Sequence, residues 1–93
     1  MGPTLLLVSL AFTIKDHKLT PQTATAPHGE RLELVVTNAG PGPEEIESKS
    51  LRFEKLIPEG QTVTLRVGPL KAATYDVFGD FHADTCKAVL TVQ

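Results

Sequence analysis

The chain has 93 residues, with 9 basic and 11 acidic side chains, a net charge of −2, 41% hydrophobic residues and 22% charged ones. Its length is expected to give a single domain, residues 1–93, burying roughly 64% of its unfolded surface. Basic residues scattered singly from Lys15 to Lys87 exclude a nucleic-acid binder, which needs clustered cations. One cysteine, Cys86, excludes an intrachain disulfide and any Cys-rich zinc or iron–sulfur site, and the one methionine, Met1, leaves no internal thioether ligand.

The first patterned segment places Leu6, Val8, Leu10, Phe12 and Ile14 on one face and Ser9, Ala11, Thr13 and Lys15 on the other, which predicts a strand. The apolar run Leu5 to Phe12 is shorter than the about 20 residues that cross a bilayer. With no basic region before it and no small-residue cleavage site after it, it reads as a strand rather than a secretory signal. Lys15-Asp16-His17-Lys18 reads as a surface turn, with a second metal contact through Asp16-His17 as the alternative. Further extended segments are predicted at Thr23 to Ala26, Glu30 to Asn38, Glu45 to Ser48, Gln61 to Val67, Tyr75 to Gly79 and Ala88 to Val92. Leu51 to Leu56 fits either a strand or one helical turn. Between these stand Pro21, Pro27-His28-Gly29, Gly40-Pro41-Gly42-Pro43, Pro58-Glu59-Gly60 and Gly68-Pro69. Period-2 patterning, regular turn signals and the absence of a long helical stretch predict an all-β antiparallel Greek-key sandwich or barrel of seven to eight strands.

No local motif supports a nucleophile, and no Gly-rich loop opens a helix as a phosphate cradle would. The remaining polar groups are Glu44-Glu45-Ile46-Glu47 and Asp80-Phe81-His82-Ala83-Asp84-Thr85-Cys86. Adjacent acids after a loop commonly form a solvated edge that protects a strand from mispairing, and a loop histidine is commonly a solvent residue. The functional alternative is an imidazole–carboxylate metal site. In an extended strand Glu45 and Glu47 point to one side and Glu44 to the other, which leaves open which acid faces His82. Tyr75 is expected in the core with its hydroxyl bonded near the sandwich edge.

The order of these segments resembles the cupredoxin fold. Ile57-Pro58-Glu59-Gly60-Gln61-Thr62-Val63 resembles that family's turn and following strand, and Thr37-Asn38-Ala39-Gly40 the end of the strand before the first histidine ligand. Tyr75-Asp76-Val77-Phe78-Gly79-Asp80-Phe81-His82, followed by Cys86 to Val92, resembles its ligand loop. On that frame the thiolate position falls on Gly79, the second histidine is His82, the axial methionine position falls on Cys86, and the first histidine falls near Pro43 or Glu44. A blue-copper centre needs a thiolate and two imidazoles, so ordinary blue electron transfer is not expected.

The combination of Glu45-Ile46-Glu47-Ser48 with Phe78 to Thr85 is similar to small exported cupredoxin-like proteins that accompany bacterial high-affinity iron permeases. The resemblance implies a periplasmic or otherwise exported protein, without a membrane span of its own. It would hold iron or copper, with zinc also compatible, through His82, Glu47 or Glu45, Asp80 and Cys86, and serve a membrane iron permease or an associated periplasmic protein. Two other readings stand beside it: a metal-free sandwich whose acidic loop meets a basic partner, and an electron carrier with a rebuilt copper site using Cys86.

Overall fold

The computed structural model describes residues 4–93. Nine strands form two sheets packed face to face: β1 (Leu7–Lys15), β2 (Lys18–Thr20), β3 (Thr23–Ala26), β4 (Arg31–Asn38), β5 (Glu44–Ser48), β6 (Phe53–Ile57), β7 (Thr62–Val67), β8 (Ala73–Gly79) and β9 (Lys87–Val92). One sheet runs β2-β1-β4-β7 and the other β3-β9-β8-β5-β6. A single 3-10 turn, Asp80–His82, leaves the end of β8. No helix among the described residues is long and apolar enough to cross a membrane.

The period-2 reading of the sequence corresponds to the observed inward faces. Phe12 and Ile14, Leu32, Leu34 and Val36, Ile46, Val77, and Leu90 and Val92 are buried between the sheets. The sheets differ from the expected antiparallel arrangement in two places, where β1 runs parallel to β4 and β3 parallel to β9. These pairings follow from the chain order: a β1–β2 hairpin ends one sheet, and β3 then crosses to the other. The Lys15 to Lys18 turn closes a hairpin that contains β2, a strand not separated in the sequence pattern. Leu6 was expected on the inward face; it precedes β1 and is exposed, because the core does not extend that far along the sandwich. The ambiguous segment around Leu51 to Leu56 becomes β6, which pairs antiparallel with β5.

Local geometry sets the end of the sandwich where β4, β5 and β8 meet. The β1–β2 turn is a two-residue connection in which Asp16 and His17 both adopt positive φ, 50° and 61°, the twist that suits a tight hairpin. Asn38 ends β4 and is buried. Its Nδ2 donates to Gly42 O and Ile57 O, each at 2.9 Å, and its Oδ1 accepts from Gly40 N at 2.9 Å. Its backbone N donates to Gln61 O and its carbonyl accepts from Gly60 N. One side chain therefore ties the Gly/Pro loop before β5 to the turn before β7. Gly40 is required there twice over: its φ is +86°, and a Cβ would lie 2.9 Å from the Glu59 carboxylate carbon.

On β8, the Tyr75 hydroxyl donates to Lys71 O at 2.8 Å, as expected of a core tyrosine at the sandwich edge. Asp76 fastens the β5–β6 turn. Its carboxylate accepts from the Ser50 hydroxyl, from Ser50 N at 3.2 Å and from Lys49 N at 3.3 Å. Burial pushes this carboxyl up, but the hydrogen bonds from Ser50 and Lys49 outweigh it and hold the group below its ordinary range.

Asn38→Ala removes three buried hydrogen bonds and strands their backbone partners, and is expected to cost about 2–4 kcal/mol in urea denaturation. Because Asp76 is depressed in the folded state, its contribution to stability is complete above the unfolded carboxyl range near ~4 and is lost as pH falls through that range. Urea midpoints taken from pH 7 to pH 3 are expected to fall more steeply for the unsubstituted protein than for Asp76→Asn.

Candidate metal site

Strand β5 separates two groups of acids. Its burial alternates strictly: Glu44, Ile46 and Ser48 are buried, and Glu45 and Glu47 lie on the outer face. Glu44 enters at the loop that Asn38 fastens, and only 1% of its surface is exposed.

Glu44 is the acid that meets His82. His82 Nδ1 donates to Glu44 Oε1 at 2.8 Å, while Glu44 Oε2 accepts from Phe81 N at 2.9 Å and Glu45 N at 3.1 Å. A carboxylate on Nδ1 fixes that nitrogen as the protonated one. The 3-10 turn carries these donors because it turns the backbone of Phe81 and the ring of His82 back toward β5. Cys86 N then donates to His82 O, and Gly79 N to Cys86 O, closing the loop onto β9.

His17, on the turn read from the sequence as a surface turn or a second metal contact, also reaches this corner. Its ring stacks on that of His82, with centroids 3.5 Å apart and planes 6° from parallel. The hairpin carrying it is held by Thr85 Oγ1 donating to His17 O at 2.6 Å and by Asp16 N donating to Gly40 O at 2.9 Å. Sequence distance concealed this contact, since 65 residues separate the two histidines; the turn signal at Asp16-His17 was the available clue.

This corner does not fit a blue-copper ion. The position that the resemblance matches to the thiolate ligand is Gly79, and even a Cβ there would lie 2.6 Å from Cys86 Sγ and 2.7 Å from the Glu44 carboxylate carbon. The space of a ligating side chain is thus already filled by Glu44 and Cys86. The Cys86 thiol is fully buried. Desolvation, with the Glu44 charge adding to it, pushes its pKa up to about 11, the opposite of the poise a metal-binding thiolate needs.

The second group lies on the outer face. Glu45, Glu47 and Glu54 each offer an oxygen, and these lie within 4.8 Å of one another. Glu54 is directly opposite Glu47 in the β5–β6 register, so the grouping follows from strand pairing. Desolvation first, then the charges of Glu54, Asp80 and Glu44, raise the Glu45 carboxyl. Glu47 is raised by desolvation, by a hydrogen bond with Glu54, and by the charges of Asp80, Glu54 and Glu45. Of the five candidate residues, Glu45 and Glu47 lie on the outer side, where the charge of Asp80 acts on both, while His82 and Cys86 belong to the inner corner around Glu44. Glu44 and Glu54 complete the two groups; strand alternation pointed to the first, and only the register reveals the second.

Gly79→Ala is expected to destabilise by about 1–3 kcal/mol through overpacking. Adding Cys86→Ala removes one of the two clashing groups, so the double variant is expected to lose less than the sum of the single losses in a denaturation cycle.

A model of the "Cupredoxin-like domain" family matches residues 8–92. An uncharacterized protein of Rickettsia prowazekii (strain Madrid E) is 35% identical over 87 residues, covering 94% of this chain and 70% of that one. Among solved structures, the metal binding domain of the Streptococcus pneumoniae D39 Cu(I) exporting P-type ATPase CopA superposes with a TM-score of 0.81 at 14% identity, covering 98% of this chain and 99% of that one. Auracyanin A, a "blue" copper protein from Chloroflexus aurantiacus, superposes with a TM-score of 0.80 at 12% identity, covering 95% and 100%. At these identities the structural likenesses establish the sandwich and its topology. With the sequence match spanning nearly the whole chain, the protein belongs to the cupredoxin-like domain family.

Proposed function

We propose that this protein binds an oxygen-preferring metal ion of the iron class at the outer acidic face of β5 and β6, and delivers it outside the cytoplasm to a membrane uptake partner. The observation that carries this reading is the convergence of Glu45, Glu47 and Glu54 oxygens within 4.8 Å, with the charge of Asp80 acting on two of them. Carboxylates are hard donors; they suit Fe(III), Mn(II) and Ca(II), and do not suit Cu(I). Their preference for Fe(III) over Fe(II) would ease one-electron oxidation of a bound ferrous ion to ferric, an external cupric ion taking the electron and becoming cuprous. The filled inner corner argues against the rebuilt copper carrier, and its role here is to hold the Asp80–His82 turn beside the acids.

The raised Glu45 and Glu47 carboxyls carry a sign. Without a cation, ionising them costs the folded state stability as pH rises through the carboxyl range, and a bound cation relieves that cost. Calorimetric titration with anaerobic Fe(II), with citrate-buffered Fe(III) and with Mn(II), Zn(II) and Cu(II) is expected to show one site that weakens below about pH 5. Glu47→Gln with Glu54→Gln is expected to weaken it at least tenfold, whereas His82→Ala leaves it within about threefold. Binding abolished by His82→Ala and indifferent to the glutamates would return the ion to the inner corner. No binding of any cation would leave the metal-free interaction module, with the acids facing a basic partner.

A further inference from the structure

The other half of the same outer sheet face carries a cleft of about 720 Å³ between β3, β8, β9 and the β5–β6 turn. Its floor carries Phe78 on β8 and Val89 on β9, which is 42% exposed, with Phe78 directly across from Lys87 and Asp76 directly across from Val89. Two lysines line it from separate elements, Lys87 from the start of β9 and Lys49 from the β5–β6 turn. Among the described residues neither forms an ion pair, the salt bridge present being that of His82 with Glu44. The acid of the lining, Asp76, stays ionised while accepting from the Ser50 hydroxyl and from the Ser50 and Lys49 amides, so the lining sets two cations against one anion. Gln22 and other polar side chains border the opening.

Small-ligand sites have volumes of roughly 300–1,000 Å³, with an apolar lining and a few convergent polar groups. An apolar floor flanked by unpaired cations selects a ligand with an apolar body and an anionic head. An uncharged apolar ligand would leave both lysines without a partner, and a small inorganic anion would make no use of Phe78 and Val89. We propose that this cleft binds a small organic anion of that class, an aromatic or acyl carboxylate or sulfonate, with its body against Phe78 and Val89 and its charge between Lys49 and Lys87. The site is separate from the acidic cluster and stands whether or not that cluster holds a metal.

The probe is 8-anilinonaphthalene-1-sulfonate, whose fluorescence rises in an apolar environment, added to the intact chain. Saturable binding at one site per chain is expected, with amide chemical-shift changes centred on Phe78, Lys87 and Val89. Decanoate is expected to displace the probe and decanol to fail. In the Lys49→Glu, Lys87→Glu double variant, with circular dichroism and urea midpoint unchanged, affinity is expected to fall at least tenfold. Glu47→Gln with Glu54→Gln, which tests the metal reading, is expected to leave it intact. Lack of saturation, equal affinity in the lysine variant, or equal competition by decanol would overturn the proposal. A dimer seen by sedimentation that excludes the probe would do the same, assigning the cleft to a second copy of the chain.

Discussion

The end of the sandwich where β5 and β8 meet depends on one buried carboxylate. Glu44 is 1% exposed, and moving a carboxylate out of water costs several kcal/mol unless its lone pairs are met. Here they are met by His82 Nδ1, Phe81 N and Glu45 N. Satisfying Glu44 therefore requires the 3-10 turn to fold back onto β5, and it fixes the register of β5. Once Glu44 points inward, Glu45 and Glu47 must point outward, because side chains alternate along a strand. The same contact commits Glu44 to the interior and leaves Glu45 and Glu47 on the outer surface.

Gly79 is the partner of that choice. A larger residue would collide with both Glu44 and Cys86, so the absent side chain at the thiolate position and the buried carboxylate are one arrangement. Asn38 supports it from the other side, since the loop it gathers delivers Glu44 into the sandwich. The result keeps the cupredoxin-like frame while exchanging the donors at its end, which is how one fold comes to carry different chemistry.

The sheets were legible in the sequence because half-buried strands display their two faces as a period of two. Leu32, Leu34 and Val36 on β4 and Ala88, Leu90 and Val92 on β9 face inward as that pattern requires. The parallel pairings of β1 with β4 and of β3 with β9 were not legible, since alternation reports which face is buried and carries no strand direction. Within the site, the opposition of Glu44 to Glu45 and Glu47 could be read from spacing alone. The stacking of His17 on His82 and the arrival of Glu54 beside Glu47 could not, because both depend on pairings between segments distant in the chain or on an exact register. Cys86 illustrates the same limit: its position in the ligand loop made it a candidate donor, and only the structure shows it completely buried against Gly79 and close to Glu44.

The outer face of the five-stranded sheet acquires its chemistry from the order of its strands. Registers carry one row across the sheet, from Lys87 on β9 to Phe78 on β8, then to Glu47 on β5 and Glu54 on β6. The row passes from cation through an aromatic ring to a pair of acids, so β8 divides a basic, apolar half from an acidic one. Opposite charges directly across neighbouring strands would pair and neutralise each other. With Phe78 between them, Lys87 does not stand directly across from Glu47, and neither charge is consumed by the other. The interposed ring thus keeps the basic and acidic halves of the outer face apart, on the side of the sheet opposite the buried Ile46, Val77 and Leu90.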